Sequence, residues 1–180
     1  PASPAPVDLP GFYRMIDDPT LARLPFTDQR GRSASLADYR GQVVVVFFGF
    51  SRCPDVCPTR LYELAQARQA LGDAARHVQV LMVTLDPARD TPELLGRYVA
   101  AFDPGFAAAT GTAAQVAALA KAFYVAWRQV PQGGAGEYTI DHSASTYLVA
   151  PSGTAFYSSG VDTTRDQLVA AIGTLARDAR

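Results

Sequence analysis

The sequence has little charge and lacks the long runs that mark nucleic-acid-binding or membrane-spanning proteins. Charged residues make up only 18% of the 180 residues, the formal net charge is -1, and no long stretch carries charge of one sign. Because phosphate binding needs a clustered basic face, nucleic acid is not an expected partner. The longest apolar run, residues 43–50, falls short of the roughly 18 residues of a membrane span and is typical of a buried strand. Hydrophobic residues nevertheless make up 48%, as in a globular domain.

The first ten residues, PASPAPVDLP, are rich in proline and alanine and predict an extended tail. The chain begins at Pro1 rather than at a methionine, so we expect that a signal peptide or membrane anchor has been removed upstream. We therefore predict a linker over residues 1–20, following a removed N-terminal anchor, and a single domain over residues 21–180.

The order of apolar and helical segments predicts an α/β fold. Helices alternate with apolar strands, an arrangement that favours a central mixed sheet flanked by helices. A Gly-rich loop at 131–136 separates two short extended segments late in the chain. The main predicted elements are a hairpin at 24–36, strands at 42–50 and 77–85, helices at 59–71, from Thr91-Pro92 onward and at 164–176, and a hairpin at 145–158.

The two cysteines, Cys53 and Cys57, lie where a buried strand gives way to a helix, and three interpretations stay open. A structural disulfide would close a very short loop and restrain the unfolded chain by about 2 kcal/mol, which so apolar a domain hardly needs. A redox dithiol suits the N terminus of a helix, whose amides lower the pKa of a cysteine. A metal site is the third, since thiolates at i and i+4 point to one side and bind a soft ion such as Cu(I).

Two sulfurs underfill most metal sites, so the metal interpretation needs a third ligand, and histidine is the natural candidate. His77 begins a strand directly after a polar turn, where we expect a solvated side chain. His142 follows the Gly-rich loop and precedes small residues, which leaves room for an imidazole and for an acceptor to its second nitrogen. A half-buried histidine satisfied by hydrogen bonds is the alternative. Cys53, Cys57 and His142 would together suit copper in both oxidation states.

Three segments resemble the motifs of one family of copper proteins. GFSRCPDVCP at 49–58 resembles the cysteine signature of the Sco/SenC family, and VTLDPARDTP at 83–92 resembles its second motif. DHS at 141–143, followed by YL at 147–148, resembles its third. The motifs occur in the family's order, and the similarity extends over residues 21–177.

The resemblance implies a thioredoxin-like fold with an additional N-terminal hairpin and an inserted hairpin or loop near a metal site. It implies one copper ion, Cu(I) or Cu(II), bound by the matching Cys53, Cys57 and His142. The implied function is that of a metallochaperone that takes part in assembly of the dinuclear copper centre of cytochrome c oxidase. The implied partners are the copper-centre subunit of the oxidase and another periplasmic copper donor.

The resemblance also implies a cellular location. Members of the family usually face the bacterial periplasm or the mitochondrial intermembrane space. We therefore expect the periplasmic side of the bacterial inner membrane, with membrane contact only through the removed N-terminal anchor.

Two other functions stay open, and one further residue has two interpretations. A thiol–disulfide oxidoreductase would use Cys53 and Cys57 to reduce the cysteines of the oxidase copper site; apart from this activity, we do not expect an enzyme. A peroxiredoxin-like peroxidase shares the fold but would need an activating arginine and no metal histidine.

Asp86 is either a turn carboxylate before Pro87 or an acceptor near the cysteines that influences their protonation and the redox state of copper.

Overall fold

The computed structural model describes residues 8–158 and 163–177, and its centre is an eight-stranded mixed sheet with a separate two-stranded hairpin beside it. The helices are α1 (Val56–Ala70), α2 (Pro92–Ala100), α3 (Ala113–Ala122) and α4 (Arg165–Arg177). The strands are β1 (Phe12–Arg14), β2 (Phe26–Asp28), β3 (Ser33–Ala34), β4 (Val43–Gly49), β5 (Val78–Thr84), β6 (Ala107–Thr110), β7 (Trp127–Pro131), β8 (Tyr138–His142), β9 (Thr146–Val149) and β10 (Ala155–Ser158).

The large sheet has the order β1-β10-β9-β4-β5-β6-β2-β3. Strands β4, β5 and β6 run parallel, and the other neighbours are antiparallel. All seven residues of β4 are buried, as expected of a β-branched and aromatic strand covered on both faces. Helix α1 packs against α4, and α2 packs against β6. The predicted central mixed sheet with flanking helices is confirmed.

The register of the central strands brings three loops to one edge of the sheet. Gly49, at the end of β4, pairs with Thr84 at the end of β5. Phe47 near the end of β4 pairs with Thr146 at the start of β9, which runs antiparallel to it. The segments that follow β4, follow β5 and precede β9 therefore lie together, and they carry the three motifs.

Both predicted hairpins form, and one helix boundary differs from the prediction. Strands β2 and β3 make the N-terminal hairpin, which joins the sheet through β6, whereas β9 and β10 make the second hairpin. Helix α1 begins at Val56 and not at residue 59. Pro58 is tolerated there because the first turn of a helix has no intrahelical partners for its N–H groups. Cys57 is consequently the second residue of the helix.

The sheet begins before the predicted domain boundary at residue 21. Strand β1 pairs antiparallel with β10 along the edge, and Leu9, Phe12 and Met15 are buried. These apolar side chains stabilise an edge strand inside a segment whose composition predicts a linker. Residues 1–7 of the predicted tail lie outside the described residues. None of the helices in the described residues has the length and apolar composition that crossing a bilayer requires.

Candidate functional site

Cys53 and Cys57 lie at the N terminus of α1, directly after the buried strand β4. Cys53 occupies the loop before the helix and is partly exposed, whereas Cys57, in the first turn, is fully buried. The backbone N–H of Cys57 donates to the sulfur of Cys53 over 3.4 Å. The N–H of Cys53 donates to the carbonyl of Phe50, at 3.2 Å. The loop thus folds back so that one thiol faces the surface and the other faces the core.

The surroundings make the two thiols chemically unequal. The contact with the Cys57 thiol, together with the N–H groups of Cys57 and Asp55, lowers the pKa of Cys53 to about 6. The same contact with Cys53, together with burial, raises the pKa of Cys57 far above its ordinary value. Near neutral pH Cys53 is therefore largely a thiolate while Cys57 keeps its proton.

His142 is the last residue of β8, on the hairpin outside the main sheet. Its Nδ1 lies 2.9 Å from the carbonyl oxygen of Ser143. Because a carbonyl can only accept, Nδ1 carries the proton in this contact, and in the neutral imidazole the lone pair then lies on Nε2, where a metal ion can bind. The ring lies edge-on to Phe50, with 6.2 Å between centroids. Phe50, Cys53 and His142 all line one cleft of about 230 Å³.

The three predicted ligands are brought to one region but not into a closed metal cage. Cys53 and His142 share the cleft, and the imidazole lies near enough to contribute to the lowered pKa of Cys53. Cys57 is adjacent to Cys53. In residues 8–158 and 163–177, however, no three His, Cys, Asp or Glu side chains are grouped so as to hold a metal ion. The chemistry of the donor set, two sulfurs and a free imidazole nitrogen, fits copper, and the three-ligand set stays a prediction.

His77 lies at the other end of the sheet from the cysteines. It ends the short 3-10 turn that leads into β5, whose first residue, Val78, pairs with Val43. The cysteines follow Gly49, at the far end of β4. Seven residues of extended strand separate the two ends by about 20 Å, so His77 cannot reach them.

Asp86 is engaged with groups other than the thiols. It is 1% exposed, pairs with the Nε of Arg89 at 2.5 Å, and accepts a hydrogen bond of 2.6 Å from the hydroxyl of Tyr138. It is thus more than a turn carboxylate, because it reaches the hairpin that carries His142.

The carboxylate whose charge acts on the buried thiol is Asp90, which sequence reasoning missed. Asp90 is 1% exposed and accepts hydrogen bonds from the N–H and the hydroxyl of Ser51 and from the hydroxyl of Thr84. Its charge contributes to the raised pKa of Cys57. The signal was present, since Asp90 lies four residues after Asp86 in the second motif, but only the register of β4 and β5 shows that it ties their ends together.

The fold and the site define a class of protein: a thioredoxin-like domain with a thiol pair at the N terminus of α1 and an added hairpin that carries a histidine to the cysteine loop. The SCO1/SenC family profile matches residues 17–177 of the chain. The chain therefore belongs to the SCO1/SenC family.

Individual relatives agree with this assignment. The cattle protein "Protein SCO2 homolog, mitochondrial" is 40% identical over 135 residues, which cover 73% of this chain and 51% of that protein. A "Putative copper-binding protein" of Stutzerimonas stutzeri is 34% identical over 134 residues, 74% of this chain and 65% of that protein. The structure of Bradyrhizobium japonicum ScoI with copper bound matches with a TM-score of 0.75 and 32% identity, covering 84% of this chain and 96% of that one. The chain spans about half the length of the mammalian SCO2 relatives it matches.

Proposed function

We propose that this protein binds one copper ion, as Cu(I) or Cu(II), through Cys53, Cys57 and His142. The observation that carries the proposal is the cleft lined by both Cys53 and His142, with Cys57 next to Cys53 in the first turn of α1. Two soft sulfurs and one imidazole nitrogen are ligands that copper accepts in both oxidation states. Similarity to the copper-bound Bradyrhizobium japonicum ScoI supports the same choice of metal.

The proposed role of the bound copper is as cargo for the dinuclear copper centre of cytochrome c oxidase. The partners would be the copper-centre subunit of the oxidase and a periplasmic copper donor, and the location would be the periplasmic side of the inner membrane, with an N-terminal anchor. Membership of the SCO1/SenC family supports this role. Cys53 is partly exposed at a cleft, so a thiol of a partner can approach the bound copper and replace Cys53 as its ligand.

A copper titration of the wild type and two variants tests the ligand set. The reduced wild-type protein should take up one copper ion per chain in competition with a chelator. His142→Ala should bind at least about tenfold more weakly, because loss of one of three ligands costs more than the 1.4 kcal/mol that corresponds to tenfold. His77→Ala is the matched control and should bind like the wild type, because His77 lies at the opposite end of the sheet.

Each result bears on a different part of the proposal. Wild-type affinity in His142→Ala would remove the histidine from the ligand set. Absence of stoichiometric uptake by the wild type would end the proposal of a copper protein. On oxidation, His142→Ala should still form a disulfide between Cys53 and Cys57. This control verifies that weaker copper binding in the variant does not come from a loss of the thiol pair.

A second candidate function is reduction of a disulfide in a partner, and the unequal thiols favour it. The Cys53 thiolate would attack one sulfur of the partner's disulfide and release the other as a thiolate, giving a mixed disulfide. Cys57, once deprotonated, would then attack Cys53, so that the partner leaves with two thiols and this protein is oxidised by two electrons. Turnover of a small disulfide substrate, measured with a thiol reductant and without copper, tests it, and negligible turnover would exclude it as the main role.

A further inference from the structure

In the part of the chain that the structure describes, the hairpin that carries His142 does not pair with a strand of the main sheet, so side-chain contacts contribute to its position. Strands β7 and β8 form their own two-stranded sheet, and within the described residues this sheet is not hydrogen-bonded to the eight-stranded one. Tyr138, Ile140 and His142 alternate along β8 and therefore share one face. Ile140, in the middle, is buried, so this is the face turned toward the core.

Tyr138 makes three contacts that fasten the start of β8 to the loop after β5. Its hydroxyl donates to Asp86 over 2.6 Å. Its carbonyl oxygen accepts from Arg89 Nη1 at 3.0 Å, and the guanidinium carbon of Arg89 lies 3.6 Å from the centre of its ring. Arg89 and Asp86, which both contact Tyr138, also form an ion pair with each other. We name Asp86, Arg89 and Tyr138 the hairpin clamp.

The clamp rests on a rigid base. The N–H of Asp86 donates to the hydroxyl of Thr84, the last residue of β5, at 2.9 Å. Thr84 in turn pairs with Gly49 in the strand that leads to the cysteine loop. Asp86 is buried and its charge is paired, so the hydroxyl of Tyr138 donates to an ionised acceptor shielded from water, a stronger bond than between neutral groups.

We propose that Tyr138 is a positioning residue that, through Asp86 and Arg89, holds the β7–β8 hairpin so that His142 stays in the cleft beside Cys53. The inference rests on the proposed function as far as copper is concerned, but the clamp itself is a property of the metal-free protein. Tyr138 and His142 are four residues apart on one strand, so a loose attachment at Tyr138 moves the imidazole as well. Tyr138 thereby controls how much of the protein has its third ligand in place.

Amide hydrogen exchange of metal-free Tyr138→Phe tests the clamp. The variant keeps the ring over Arg89 and loses only the hydroxyl. The amides of β7 and β8 should exchange roughly ten- to hundredfold faster, the effect of losing one hydrogen bond to a charged acceptor, while those of β4 and β5 stay unchanged. Tyr13→Phe, which removes the hydroxyl of an exposed side chain on strand β1, is the matched control and should leave hairpin exchange unchanged. Unchanged hairpin exchange in Tyr138→Phe overturns the proposal.

Copper loading of the same variants tests the positioning of His142. Loaded with Cu(II), Tyr138→Phe should show a smaller nitrogen contribution in electron paramagnetic resonance and about tenfold weaker binding, a smaller loss than in His142→Ala. The positioning role would be overturned if Tyr138→Phe showed faster amide exchange but the copper spectrum and copper affinity of the wild type. Tighter copper binding by the variant would overturn it as well. If the wild type binds no copper, the proposed function fails, while hydrogen exchange still decides whether the clamp holds the hairpin.

Discussion

The backbone N–H of Cys57 donates a hydrogen bond to the sulfur of Cys53 across 3.4 Å. It adds to the contact between the two thiols, and both favour the charged form of Cys53. The partner in that contact, Cys57, is buried and keeps its proton. A single turn of helix therefore gives two identical side chains different reactivities, and whichever of the two functions operates would begin at Cys53.

The first prediction concerns the pH at which Cys53 reacts. In reduced, chelator-treated protein the rate of alkylation by iodoacetamide should rise with pH around a midpoint near 6, because only the thiolate reacts and the pKa of Cys53 is lowered to about 6. Cys57→Ala removes the largest cause of that shift and should move the midpoint upward. Cys53→Ser should abolish the fast phase. A wild-type midpoint near the ordinary value of 9.0 would contradict the electrostatic description.

The second prediction concerns Gly49, the last residue of β4. A Cβ at this position would lie 2.9 Å from the sulfur of Cys57 and 2.9 Å from the ring of Phe47, closer than side chains normally approach. Gly49→Ala should destabilise the protein by about 1–3 kcal/mol through overpacking, measured by urea unfolding. Gly133→Ala meets no atom within 4 Å and should change the free energy of unfolding by no more than about 0.5 kcal/mol. Equal changes in the free energy of unfolding for the two variants would show that the space beside Cys57 and Phe47 accommodates an added methyl group.

The third prediction concerns the buried carboxylate of Asp90. Asp90→Asn replaces one acceptor oxygen by an amide nitrogen that faces the donors of Ser51 and Thr84, and should lower the free energy of unfolding by about 2 kcal/mol. Removal of the negative charge should also lower the pKa of Cys57 relative to the wild type. Asp17→Asn, at an exposed ion pair with Arg14, should cost less than about 1 kcal/mol. Comparable losses in both variants would show that Asp90 does not join the ends of β4 and β5.

The fourth prediction concerns the edge strand β1, which lies inside the predicted linker. Phe12→Ala should destabilise the protein by about 3 kcal/mol, because Phe12 is 7% exposed and packs in the core. Its neighbour Tyr13 points to the opposite face and is 56% exposed, so Tyr13→Ala should cost less than about 1 kcal/mol. Thermal unfolding of both variants measures the difference. If Phe12→Ala causes no loss of stability, β1 does not contribute to the core and the prediction of a linker over this segment is correct.

Local patterns in the sequence were sufficient for most elements of the fold. The apolar run around Val45 predicts a central strand because few other structures bury so many β-branched side chains in succession. Thr91 and Pro92 predict the start of α2, where the Thr91 side chain accepts from the N–H of Leu94. Helix α1 begins three residues before the predicted start at residue 59, and its first turn includes Pro58, which a first helical turn accommodates.

By itself the sequence determined most strands and helices and the family, and it named Cys53, Cys57 and His142 as candidate ligands, because periodicity, turn residues and motifs are local properties of a chain. Only the tertiary structure decided that His77 lies at the far end of the sheet, that Asp90 rather than Asp86 acts on the buried thiol, and that Tyr138 fastens the hairpin. The physical reason is that strand register and burial join residues far apart in the chain, such as Asp86 and Tyr138, which are 52 positions apart, and no pattern of neighbouring residues records those pairings.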